Sequence, residues 1–298
     1  MYYGKGTTVF LDGQFIKAEE ARTDLFSQTL HYGHGVIEGM RSYATPMGAH
    51  IFKARAHYSR LLECAEKLGW KVEYSLEELI HYSYQLLEEN NTTEESAYIR
   101  PIIFMGANMA LLNSSEVHVG IAAWKWKSYF ENDQLKLWIS DIERPNPKST
   151  LIDYKITGHY TNYILATNEA RKKGYDEALL LDMEGNVSQA SASNFFYQKN
   201  GKLYTAPQGH IMPGITRALV MNLATELGYE VIEKTSKPEE LRGAEGAFLT
   251  SAALEITGVQ SINGKQSQLP WEETIGYEIL LKYRQIMSQA QFDSYSII

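Results

Sequence analysis

The sequence predicts a mixed α/β protein built as two domains. Hairpin signals, strand-like runs and helical stripes are interleaved without strict β-α-β alternation. A length of 298 residues suits one large domain or two of ordinary size. A polar stretch, Trp126 to Gln134, breaks the periodicity before mid-chain. The expected division is a small N-terminal α/β domain over 1–125, a linker over 126–134 and a large C-terminal domain over 135–298.

The elements follow in order. Thr8–Leu11 and Gln14–Ile16 flank Asp12-Gly13 and predict a hairpin. A helix is expected over about Ala54 to Leu68. Ser75 and Glu78 have the spacing of a capping box, opening a helix to about Glu89. Strands are expected over Ala97–Phe104 and His118–Ala123, and Leu135–Ser140 opens the second domain. Pro145-Asn146-Pro147 imposes a loop. A helix over Tyr160–Lys173 precedes the apolar strand Glu177–Asp182. Turns are expected at Glu184-Gly185-Asn186 and Asn200-Gly201. Leu219, Val220, Leu223 and Leu227 mark a helix from about Thr216. Strands near Glu230–Glu233 and Ala247–Thr250 and a helix over Trp271–Gln289 complete the chain.

Composition narrows the function. Hydrophobic content of 44% and charged content of 21% are globular values. A net charge of −8, with no basic block longer than Arg171-Lys172-Lys173, argues against a nucleic-acid surface. Cys64 is the only cysteine, so neither an intrachain disulfide nor a thiolate cluster can form. His31 and His34 could share a helix face, but no carboxylate completes a metal set, and none is expected. The first residues lack a signal-peptide apolar region, and no run reaches the roughly 18 apolar residues of a membrane span. A soluble cytoplasmic protein is the expectation.

Lys155 stands out chemically. It is a lone cation in the run Leu151-Ile152-Asp153-Tyr154-Lys155-Ile156-Thr157-Gly158. If buried, its ammonium is disfavoured and its amine becomes a nucleophile suited to an aldehyde cofactor. Otherwise it is a solvated surface lysine. Met212-Pro213-Gly214-Ile215-Thr216-Arg217 opens a helix. It reads either as a phosphate site at a helix N-terminus or as an ordinary start capped by Thr216. Leu249-Thr250-Ser251-Ala252-Ala253 either brings backbone N–H groups to a ligand or packs two elements closely.

Six segments occur together in a known order: Tyr32-Gly33 through Glu38-Gly39-Met40-Arg41, Tyr98-Ile99-Arg100-Pro101, Lys155 with Gly158-His159-Tyr160, Asn194-Phe195-Phe196, Pro213 through Arg217, and Ala253 through Thr257. They resemble class IV, fold-type IV pyridoxal-phosphate enzymes, and among them branched-chain amino acid aminotransferases, over about Val9 to Val259. The resemblance implies pyridoxal 5'-phosphate held between the two domains. It also implies at least a homodimer in which each site borrows residues from the partner. By matched position, Lys155 resembles the lysine of the internal aldimine and Arg55 the phosphate-binding arginine. Ile215 and Thr216 match the phosphate-binding helix start, Ser251 and Ala252 a second backbone contact, and Tyr160 the tyrosine near the phenolic oxygen. Tyr98 with Ala252 and Ala253 resembles the α-carboxylate site. Tyr32, Arg100 and Tyr129 resemble the groups that accept the glutamate side chain, and Ile37 and Arg41 belong to the same substrate set.

Two positions depart from the pattern. Gln189 stands where the family carries a glutamate on the pyridine nitrogen, and a neutral amide cannot favour pyridinium in that way. Ile37 stands where a phenylalanine is usual, which reshapes the apolar wall. The function implied is ping-pong amino transfer between leucine, isoleucine or valine and 2-oxoglutarate, with Lys155 moving the proton. The alternatives are a D-amino acid aminotransferase, an amine transaminase, an aminodeoxychorismate lyase, or a cofactor-holding protein with little catalysis, the last suggested by Gln189. The Tyr98–Pro101 run and Tyr32 favour the branched-chain assignment.

Overall fold

The computed structural model describes residues 3–113, 116–126, 130 and 132–288. The chain forms two compact units: Met1–Lys127 with Tyr154–Gly158 and Ile286–Ile298, and Ser128–Asp153 with His159–Gln285. The first unit thus includes the short Lys155 segment, which the sequence reading assigned to the C-terminal domain. Its backbone explains this. Ile156 bridges Val36, Ile37 donates its N–H to the Lys155 carbonyl at 3.0 Å, and Gly158 donates to the Gly33 carbonyl at 3.0 Å.

The first unit comprises β1 (Thr8–Leu11), β2 (Gln14–Lys17), α1 (Gln28–Tyr32), β3 (Gly35–Ile37), β4 (Met40–Thr45), β5 (Gly48–Ile51), α2 (Ala54–Lys67), α3 (Leu76–Glu89), β6 (Ala97–Met105) and β7 (Val117–Lys125). Its sheet runs β2-β1-β7-β6-β4-β5, with β3 also beside β6. At the N-terminus of α3, Ser75 Oγ accepts the Glu78 N–H at 3.2 Å and Glu78 Oε2 accepts the Ser75 N–H at 2.8 Å. That box satisfies two donors a helix start leaves open. Tyr58 and Leu61 of α2, Leu79 and Leu86 of α3, and Phe10, Ile99 and Ile103 of the sheet share one buried core. β3 to β5 were not expected from the sequence: they are short and lack a clear alternation.

The second unit comprises β8 (Gln134–Ile139), α4 (Tyr160–Lys172), β9 (Glu177–Leu181), β10 (Val187–Ala190), β11 (Asn194–Lys199), β12 (Lys202–Thr205), α5 (Ile215–Glu226), β13 (Val231–Glu233), β14 (Gly246–Ser251), β15 (Glu255–Ile262), β16 (Lys265–Gln266) and, through Gln285, α6 (Ile275–Ser288). Its sheet runs β10-β9-β8-β15-β14-β11-β12-β13, and a β10–β11 pairing closes six of these strands into a ring. β9 is covered on both faces. Leu179 packs with Leu137, Phe195 and Leu249, whereas Ala178 and Leu180 pack with Tyr163, Ala166 and Ala170 of α4. Burial on both faces explains its unbroken apolar run. The last helix starts later than expected: Trp271–Glu273 is a 3₁₀ turn. The Thr274 hydroxyl then accepts the Tyr277 N–H at 3.2 Å, capping α6.

Among the described residues, no helix is long and apolar enough to cross a membrane. No group of three or more His, Cys, Asp or Glu side chains there could hold a metal ion.

Candidate active site

In the first unit, the Lys155 segment lies against the turn that follows α1. Thr157 Oγ1 donates to the Gly33 carbonyl at 2.6 Å. Gly33 has a φ of 64°, and a Cβ there would fall 2.5 Å from Gly158 Cα. Only glycine meets both demands. Lys155 itself is half-buried. Burial, aided by the cations Arg60 and Arg100 and opposed by Glu38 and Tyr98, pushes its pKa below that of an ordinary lysine. The amine is therefore easier to hold neutral and nucleophilic.

Glu38, between β3 and β4, is 1% exposed. Its Oε1 accepts the Arg60 Nε–H at 2.6 Å. Its Oε2 accepts from His57 Nδ1 at 2.8 Å and from the Gly39 N–H at 3.2 Å. Burial opposes its charge, but Arg60 and then His57 overcome this and hold the carboxyl well below the usual range. His57 is kept neutral chiefly by burial.

A third group completes this side. Tyr98 and Arg100 alternate on β6 and so share a face. Arg100 Nη2 donates to Tyr98 Oη at 3.3 Å. The Tyr98 ring lies 5.2 Å from Trp124 and 5.4 Å from Trp126. A Cβ on Gly39 would fall 1.8 Å from Tyr98 Oη, so glycine admits the phenol there. Buried Arg41 is the cross-strand partner of Tyr98. Ile37 is buried and touches the Lys155 carbonyl through its own N–H.

Arg55 is not brought into this cluster. Its side chain is 66% exposed and pairs with Glu77 at 2.9 Å. Positions 55 and 60 of α2 point in different directions, whereas His57 and Arg60, three residues apart, share the inward face. That spacing was the available signal for Arg60, which the sequence reading missed. Tyr32 is 44% exposed, and its hydroxyl donates to the Met109 carbonyl at 3.1 Å. Tyr129 lies outside the described residues.

The second unit carries the remaining residues. Gln189 and Asn194 are cross-strand partners and together grip Met212. Gln189 Oε1 accepts the Met212 N–H at 2.8 Å, while Asn194 Nδ2 donates to the Met212 carbonyl at 2.9 Å. Gln189 Nε2 donates to the Ala190 carbonyl at 3.2 Å. Both ends of the Gln189 amide are thus assigned: a flipped amide would face donor with donor and acceptor with acceptor. Two residues after Met212, Gly214 starts α5 without a side-chain cap. Ile215 and buried Thr216 follow it, so an anion could be met there by backbone N–H groups and the helix dipole. Ser251 ends β14, Ala252 and Ala253 follow it in the β14–β15 turn, and Ser251 Oγ accepts the Leu254 N–H at 3.1 Å. Tyr160 opens α4, and its ring meets Tyr163 edge-on at 5.5 Å.

The pattern of the amino-transferase class IV family matches residues 35–262. A branched-chain-amino-acid aminotransferase of Pseudomonas aeruginosa is 37% identical over 264 residues, 87% of this chain and 85% of its own length. The branched-chain aminotransferase of Thermoproteus uzoniensis, solved with norvaline, superposes with a TM-score of 0.91 at 33% identity, covering 97% of this chain and 98% of its own. The branched-chain amino acid aminotransferase of Thermobaculum terrenum, solved in its PLP form, gives 0.87 at 27% identity and covers 95% of this chain and 94% of its own. With a lowered-pKa lysine in one unit, an uncapped Pro-Gly helix start in the other and a family match across most of its length, this chain belongs to the class IV aminotransferases.

Proposed function

We propose that this aminotransferase exchanges amino groups between a branched-chain L-amino acid (leucine, isoleucine or valine) and 2-oxoglutarate, using pyridoxal 5'-phosphate. One observation carries the substrate assignment. Apolar and cationic groups stand together around Lys155: Ile37, the Tyr98 ring beside Trp124 and Trp126, and Arg100. An apolar wall suits a branched side chain, and a guanidinium suits the second carboxylate of glutamate. The names of the relatives support the same substrate class.

The residues present fit the cofactor. The first unit offers a lysine of lowered pKa and, at Arg60, a guanidinium. The second offers the helix start at Gly214-Ile215-Thr216. When bound, pyridoxal 5'-phosphate supplies an aldehyde that condenses with amines and a ring that takes up charge from the substrate α-carbon. Lys155 Nζ holds the attachment point and then carries the proton at that carbon. In the first unit the Arg60 guanidinium, rather than exposed Arg55, would suit phosphate oxygens, and in the second unit the N–H groups at Ile215 and Thr216 would suit the same chemistry. Ser251 and Ala252 would add backbone contacts, Tyr160 would hold the phenolic side and Gln189 would meet the ring nitrogen. Tyr98, Arg41 and Ala253 orient the substrate carboxylate.

The working form is a homodimer in the cytoplasm. Leu25, Phe26, Leu30, Tyr32, Leu111 and Leu112 of the first unit are 44–82% exposed. An apolar group of that size calls for cover, and a second copy supplies it. The deciding experiment is an absorption spectrum of the purified protein before and after leucine, then 2-oxoglutarate, with its mass in solution. Loss of the cofactor band with leucine and its return with 2-oxoglutarate is expected. A response to D-amino acids or simple amines alone would move the assignment elsewhere in the class.

A further inference from the structure

The buried Glu38 has no role in the reaction described above, yet its carboxylate accepts from Arg60, His57 and the Gly39 N–H. We propose that Glu38 is a positioning residue: its carboxylate fixes the Arg60 guanidinium and supplies the negative charge that offsets Arg60 beside the Lys155 amine. The inference rests on Lys155 being the reactive amine.

The geometry argues for a built device rather than a chance ion pair. The Glu38 backbone is anchored first, its N–H donating to the Pro101 carbonyl of β6 at 3.1 Å. Its side chain then meets one face of α2, where His57 and Arg60 stand one turn apart. Three donors converge on the carboxylate at 2.6, 2.8 and 3.2 Å. Because the carboxylate is ionised, the proton on the His57 ring sits on Nδ1. Arg60 is held by Nε, which fixes the plane of its guanidinium. A buried carboxylate with one fewer donor would be costly to keep ionised.

The charged and titratable groups around Lys155 come from three elements. Arg60 projects from α2, Tyr98 and Arg100 from β6, and Glu38 from the β3–β4 junction. His57 and Cys64, both on α2, act on Glu38 or feel it. Ile37, next to Glu38 in the chain, donates its N–H to the Lys155 carbonyl at 3.0 Å, which sets Glu38 beside the Lys155 segment; there Arg60 and Arg100 oppose protonation of the amine, while Glu38 and Tyr98 favour it. Removing the Glu38 charge leaves Arg60 unopposed and makes Lys155 easier to deprotonate. Removing the Arg60 charge has the opposite effect. A residue that merely supports the fold has no reason to give shifts of opposite sign.

The test titrates the visible absorption band of the holoenzyme against pH in Glu38→Gln, Arg60→Met and the double variant. Glu38→Gln should move the transition to lower pH by about one unit, a tenfold change in the equilibrium. Arg60→Met should move it up by a similar amount, and the double variant should return close to wild type. The same order should appear when the full-length chain, freed of cofactor, is labelled with acetic anhydride. There the Lys155 peptide of Glu38→Gln should react about tenfold faster than wild type at a pH where the ammonium dominates. That readout needs no aminotransferase activity, so it separates failure of this inference from failure of the substrate assignment. Should Glu38→Gln not fold, the comparison becomes Arg60→Met, which shifts the labelling, against Arg60→Lys, which keeps the charge and restores it. Shifts of the same sign in both single variants, or no shift in folded Arg60→Met, would overturn the proposal.

Discussion

The two units bring opposite kinds of chemistry. In the first, Lys155, Glu38, Arg60 and Arg100 are ionisable and influence one another by charge, with Glu38 and Arg60 in direct contact. In the second, Gln189, Asn194 and the start of α5 are neutral and work through amide and backbone hydrogen bonds. A charged cluster in a poorly solvated place is sensitive: each member determines the protonation of the others. An anion site of backbone groups has no proton to lose, and side-chain changes leave its N–H groups in place. Variants and pH should therefore act on the first unit far more steeply than on the second.

The largest effect is expected at Lys155. Lys155→Ala should lower amino transfer by at least about 10²–10⁴-fold, the usual contribution of a positioned proton carrier, and abolish covalent cofactor attachment. Borohydride reduction followed by peptide mapping checks this, and a label on another lysine would remove Lys155 from the role.

Next, Arg60 and Arg55 should differ sharply although they share a helix. Arg60→Met should weaken cofactor affinity roughly tenfold to a hundredfold, the scale of a lost charge-assisted hydrogen bond. Arg55→Ala should leave the dissociation constant within about a factor of two, since its exposed pair with Glu77 is of little consequence. Equal losses in the two would return Arg55 to the site.

Within the substrate wall, Arg100→Leu should raise the Michaelis constant for glutamate about tenfold more than that for leucine, because only glutamate brings a second carboxylate. A uniform loss for both substrates would instead mark Arg100 as a support for Tyr98.

Gln189 tests the neutral unit. In Gln189→Glu the carboxylate can still accept the Met212 N–H, but it places an acceptor where Nε2 now donates to Ala190. The cofactor-free protein should lose about 1–3 kcal/mol, seen as a lower denaturant midpoint. If Gln189 meets the ring nitrogen, the same substitution favours the protonated ring and speeds the half-reaction with leucine. Wild-type single-turnover rates would show that another group serves that nitrogen.

The smallest effect is on stability against pH. His57 has a folded pKa below its ordinary 6.5, so the fold favours the neutral ring. Its contribution is present above 6.5 and is lost as pH falls through the folded value. Glu38 has a folded pKa far below 4.5, so its contribution is present above 4.5 and is lost only in stronger acid. Chemical denaturation across this range should show stability falling as pH drops, with a shallower fall below 4.5 in Glu38→Gln. An unchanged slope would mean that Glu38 titrates alike in the folded and unfolded chain and adds nothing to the acid dependence.

Several features were legible in the chain itself because they depend on local chemistry. Ser75 and Glu78 form their capping box within four residues, and Asp12-Gly13 makes its hairpin with both residues at positive φ (47° and 86°). Pro213-Gly214 marks the start of α5 in the same local way. The family order of the motifs pointed to Lys155 and to the class. Tertiary structure alone decided which groups meet. Arg55 and Arg60 are both basic residues on one helix, and only the packing of α2 turns Arg60 toward Glu38 and leaves Arg55 in solvent. The Lys155 segment follows Pro145 and Pro147 in the chain, yet its backbone is bonded to Gly33, Val36 and Ile37, more than a hundred residues earlier. No local pattern encodes such a contact. Its free energy comes from burial and from hydrogen bonds closed across the fold, and a charge acquires its shifted pKa only once those surroundings exist.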